Sequence, residues 1–116
     1  MKDYTVIRNR YLRDDVPIRL GGLAANLRRV KSFTSHSGNR DAVESLLDES
    51  KFFIEWTARD TAVDEAAELV GLQLQISRWQ LNWPAIWADT ARRHQVAEQA
   101  GIWSDRVLVL SGLLSS

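Results

Sequence analysis

From residue 96 to the end of the chain an apolar or small residue recurs at every third or fourth position: Val96, Ala100, Trp103, Val107, Leu110 and Leu114. This repeat constrains the fold more than any other feature. On a helix it keeps all six side chains on one stripe, whereas on a strand it scatters them over both faces. A second seam of the same kind runs through Val16, Leu20, Leu23, Leu27 and Val30. A helix with one apolar stripe needs another element to bury it, so two such seams in a short chain predict helix-on-helix packing.

Two further helical segments lie between the seams. Turn chemistry at 35–39, "SHSGN", precedes a segment whose inner side carries Val43, Leu46, Leu47, Phe53, Ile54 and Trp56. Asp60 or Thr61 then offers a helix cap, with Asp64 and Glu65 placing negative charge in the first turn. The segment that follows shows Leu69, Leu72, Ile76, Trp79 and Trp83 on one stripe, and Val70, Leu74 and Leu81 as a second apolar row. Two apolar rows predict that this third segment is the central helix. No Gly or Pro separates it from the second, so one continuous helix from about 40 to 82 is the alternative. The first segment starts at Asp14 or Asp15 as cap, with Pro17 in the first turn, where a missing N–H costs nothing. The expected fold is therefore all-α: a single domain over 1–116, forming an antiparallel up-down bundle of about four helices. Residues 1–11 form an arm or a short extra helix, and 111–116 a frayed tail.

Composition excludes several chemistries. With no cysteine in 116 residues, disulfides, thiolate metal sites and cysteine nucleophiles are ruled out; this is consistent with a cytoplasmic protein. No apolar run approaches the ~20 residues of a membrane span, and the opening "MKDYTVIRNRYLRDD" is unlike a signal peptide. Neither His36 nor His94 has a carboxylate three residues before it, so the Glu-x-x-His pairs of a metal-binding bundle are missing; no metal and no cofactor is expected. The "LGGLAANL" stretch lacks both the spacing and the lysine of a phosphate loop. Its Gly21 and Gly22, with Ala25, are instead candidates for a close helix contact. Each interior glycine costs a helix about 1 kcal/mol, which tight packing can offset.

Charge is balanced overall but unevenly placed. Residues 1–40 hold nine Lys or Arg against three acids, and residues 41–116 hold six against twelve. Either the basic segment packs beside acidic later helices, or it faces an acidic partner such as nucleic acid.

The five tryptophans pose the main functional question. Trp79 is expected in the core. Trp83 stands at a helix end and Trp87 beyond Pro84, so both are open to a core or a surface reading. Because Trp and Arg dominate binding hot spots, Trp83, Trp87, Trp103, Arg78, Arg92 and Arg93 are the candidate partner-binding residues. The expected function is a non-enzymatic protein–protein interaction or adaptor domain, with another protein or a second copy as partner. Two alternatives remain: a nucleic-acid-binding regulator using the basic first helix, and a small helical-bundle RNase in which Arg29 and His36 supply an Arg–His pair.

Overall fold

The computed structural model describes residues 3–113, which form six α-helices and no strand. Four long helices make an antiparallel bundle: α2 (Val16–Phe33), α3 (Arg40–Ala58), α4 (Val63–Leu81) and α6 (Thr90–Ser111). Two short ones complete it: α1 (Tyr4–Tyr11) and α5 (Trp83–Ala88). The stretch that read as arm or helix is thus helix. Antiparallel order shows in paired contacts: Arg19 of α2 meets Asp60 beyond the end of α3, and Asn26 meets Glu49.

The central helix is α2, not α4. Leu20, Leu23, Leu27 and Val30, the expected seam, are buried, and so are Ala24 and Asn26 beside them. α2 lies between α3 and α6 and needs a burying face on each side. On the α6 side the contact is made by small residues. Ser104 Oγ donates to the Ala24 carbonyl at 2.8 Å, across 80 residues of chain, and Ala100 and Gly101 are buried alongside. Side chains this small let two backbones approach until a hydroxyl of one reaches a carbonyl of the other. The true inner line of α6 therefore runs Val96, Ala100, Ser104, Val107 and Ser111, while Trp103 and Leu110 of the predicted seam are only half-buried. Leu114 lies outside the described residues.

The three proposed contact residues on α2 are placed differently from one another. A side chain at Gly21 would come within 2.9 Å of Leu113 Cδ1, and one at Gly22 within 3.7 Å of the Tyr11 ring. Neither glycine meets a neighbouring helix backbone. Ala25 faces solvent, because one residue's rotation of about 100° carries it away from the buried Ala24.

The boundary between α3 and α4 is real although no Gly or Pro marks it. Thr61 folds its hydroxyl back onto the Ala58 carbonyl at 2.7 Å, satisfying an orphan acceptor at the end of α3. Asp60 is held by Arg19 Nη1 at 2.8 Å. The N-cap position of α4 is Ala62, with no capping side chain, so neither Asp60 nor Thr61 caps it. At the other end of α4, Pro84 does more than stop a helix: it sits in the first turn of α5.

α6 starts at a stronger cap. Asp89 Oδ1 accepts from the backbone N–H groups of Ala91 at 2.9 Å and Arg92 at 3.3 Å. Asp89→Ala is expected to cost about 1 kcal/mol in a urea titration; an unchanged midpoint would show that water replaces the cap without loss. At the far end Gly112 adopts φ 73°, the left-handed geometry that closes a helix. Ser111 is the last residue of α6 and is buried, and Leu113 reaches back over Gly21. Residues 114–116 lie outside the described residues.

α1 straps across α3 through aromatic rings. Tyr4 meets Phe52 at a ring separation of 4.3 Å, and Tyr11 stacks on Phe53 at 4.0 Å with planes 8° apart. The Tyr11 hydroxyl donates to the Arg19 carbonyl at 2.7 Å and accepts from Thr57 Oγ1 at 3.2 Å. Burial pushes this phenol up to about 12, against the weaker opposing pull of Thr57 and Arg19.

Candidate interaction surface

The two tryptophans of α5 are core. Trp83 is 4% exposed and Trp87 7%. Their rings lie 5.5 Å apart, and Trp87 Nε1 donates to the Ser37 carbonyl at 3.0 Å. Arg93 covers the outer face of Trp87, with its guanidinium 5.3 Å from the ring centre and Nη2 donating to Thr90 Oγ1. α5 thus turns its two indoles inward and closes one end of the bundle. A surface role for these two rings is overturned by this burial, and Arg93 serves as their lid. Trp83 Nε1 and Arg93 Nε have no hydrogen-bond partner among the described residues.

The other three candidates remain accessible. Arg78 and Arg92 are exposed and come together in one open groove of about 540 Å³, lined also by Asn82, Gln95 and Gln99. Trp103 is half-buried and lies 4.0 Å from where a side chain at Gly71 of α4 would begin.

Three of the nine basic side chains in the first forty residues pair with acids of the fold. Arg19 pairs with Asp60 at 2.8 Å, Arg28 with Asp105 at 3.1 Å and Arg40 with Glu44 at 3.2 Å. The internal reading of the charge asymmetry is the one these contacts support. Arg29 hydrogen-bonds Asn26 and lines a groove with Glu49, a groove that does not include His36. His36 instead occupies the N-cap position of the 3-10 turn Ser37–Asn39, without a side-chain cap bond.

The most distinctive exposed surface lies on α4. Its inner face, Leu69, Leu72, Ile76 and Trp79, is buried. On the opposite face Val63, Ala67, Val70, Leu74, Ser77 and Leu81 recur at the heptad spacing of a coiled-coil seam. The four large residues are exposed: Val63 84%, Val70 45%, Leu74 54% and Leu81 83%. Single exposed aliphatic side chains need no explanation, but a contiguous stripe along a whole helix does. The sequence displays this second row openly. Two apolar rows read as a mark of a central helix; the second is an outward face, because α4 packs mainly on α3, touches α5 and α6 only at its margins, and among the described residues nothing covers its far side. The stripe is bordered by Gln73 and Gln80, tied to α3 through the Lys51 carbonyl and Asp48, and by Glu68, tied to Arg106 of α6 at 2.7 Å.

Among the described residues no helix is long and apolar enough to cross a membrane, so the stripe is not one flank of a spanning segment. No protein-family model matches this chain, nor does any curated protein or solved structure.

Proposed function

We propose that the chain is a non-enzymatic protein–protein interaction module of the cytoplasm, and that its docking face is the outer stripe of α4. One observation carries the reading: α4 is apolar on two opposite faces, and the fold buries only one. Covering the four large residues would contribute on the order of 5 kcal/mol before the entropic cost of association. An apolar centre with a polar border of Gln73, Gln80, Glu68 and Arg78 has the anatomy of an interface core and rim. Arg78 and Arg92 at one end, with the half-buried Trp103 beside Gly71, supply the residue types that anchor such contacts.

A photo-reactive amino acid at position 74 tests this in cells, with exposed Ser45 on α3 as the control position. Crosslinking to a polypeptide from position 74 in clear excess over position 45 is the expected result. Equal, background-level yields from both positions would remove α4 as a docking face.

A further inference from the structure

We infer that the occupant of this stripe is a second copy of the same chain, docked antiparallel about a two-fold axis that passes between Val70 and Leu74 of the stripe. The inference rests on the interaction reading above and adds the identity and the orientation of the partner.

The stripe is symmetric in size as well as spacing. From Val63 to Leu81 it reads large, small, large, large, small, large: Val63, Ala67, Val70, Leu74, Ser77, Leu81. When α4 is laid on a reversed copy of itself, Val63 meets Leu81, Ala67 meets Ser77 and Val70 meets Leu74. Every large residue then faces a large one and every small residue a small one. The two small–small layers and Gly71 beside the axis allow the helices to approach at the short end of the usual 8–10 Å. A side chain at Gly71 would meet nothing of its own chain closer than Trp103 at 4.0 Å, so packing within the protomer does not require glycine there.

Charge selects the orientation. Asp64 and Arg78 border the stripe on the same side, one at each end, and both are exposed. Neither takes part in an ion pair among the described residues, unlike neighbouring Glu68. In the antiparallel arrangement these are equivalent flanking positions, so Asp64 of each copy faces Arg78 of the other and two ion pairs form. A parallel arrangement brings Asp64 beside its own copy, with Glu65 and Glu68 close by, and aligns the two helix dipoles unfavourably. Isologous pairing of one patch with itself is also the commonest way in which a soluble protein closes an assembly.

Sedimentation equilibrium of the full chain over about 1–500 µM tests the inference, that being the range in which a contact smaller than a standard interface dissociates. The wild type is expected to pass from monomer to dimer. Leu74→Glu should remain monomeric throughout with unchanged helical circular dichroism, since the site is half-exposed in the protomer. Arg78→Asp should weaken the dimer about five- to tenfold. The double variant Asp64→Arg/Arg78→Asp should recover to within about twofold of wild type, because both cross-pairs are restored with reversed sign. A wild type that stays monomeric, a dimer indifferent to Leu74→Glu, or a double variant no tighter than Arg78→Asp alone would each overturn the inference. A monomeric wild type that still crosslinks a different polypeptide from position 74 would overturn only the second-copy partner. A monomer that crosslinks nothing would take the interaction reading with it.

Discussion

Trp87→Ala is expected to lower the free energy of unfolding by about 3–5 kcal/mol, the range for removing a large aromatic side chain from a core. Three contacts are lost together. The indole packs on Trp83 at 5.5 Å, donates to the Ser37 carbonyl and carries the Arg93 guanidinium on its outer face. The Ser37 bond ties α5 to the turn that follows α2, so the substitution also releases the cap over one end of the bundle. Thermal and urea unfolding of the variant check this directly. The companion expectation is that Leu74→Glu, on the outer stripe, shifts the stability of the protomer by less than about 0.5 kcal/mol. If Trp87→Ala were equally harmless, the aromatic end of the bundle would contribute nothing to its stability.

The second large effect is one of pH. Tyr11 titrates at an ordinary 10.0 in an unfolded chain and, through burial, at about 12 in the folded one. A group with a raised folded value contributes stability that is fully present below pH 10 and is lost as pH climbs toward 12. The slope is about 1.4 kcal/mol per pH unit, so roughly 2–3 kcal/mol disappears across the window. The cause is visible in the site. The hydroxyl is committed as a donor to the Arg19 carbonyl, and an ionised phenolate there would oppose that carbonyl with no proton between them. Urea unfolding at pH 8 and pH 11.5 measures the loss. Tyr11→Phe is expected to be about 1 kcal/mol less stable at pH 8 and to show a distinctly flatter decline above pH 10. Parallel declines in the two proteins would mean that the phenol is hydrated in the folded state.

The seam on α2 is legible because its five aliphatic residues are regularly spaced, and four of them, Leu20, Leu23, Leu27 and Val30, are buried as the spacing requires. On α6 the spacing of the large residues points to Trp103 and Leu110. The helix is rotated instead toward Ser104 and Ser111, whose hydroxyls are satisfied by carbonyls at Ala24 and Leu108. A buried serine with a backbone partner cannot be distinguished in sequence from an exposed one. The aromatic strap of α1 was illegible for a related reason: Tyr4 and Tyr11 find Phe52 and Phe53 more than forty residues away, a pairing without local periodicity. Two apolar rows on one helix are compatible with burial on both sides or with one side left for a partner. Which holds depends on how many helices the rest of the chain can lay against it. The same ambiguity hid the candidate site, whose residues stand in plain view as Val63, Val70, Leu74 and Leu81.

The hydroxyl bridge from Ser104 to Ala24 has a consequence for how the molecule is made. Its two ends are 80 residues apart, and the central helix has one of its two burying faces covered only by the last helix. During synthesis from the N-terminus, α1, α2 and α3 can assemble early through neighbouring contacts. Ala24 and the face around it lack their α6 cover until that helix has been translated. The nascent chain therefore carries two unsatisfied apolar surfaces at once, the α6-facing side of α2 and, once α4 appears, its outer stripe. Closing the first of them waits for α6, and a truncation that removes Ser104 removes the hydroxyl that reaches Ala24.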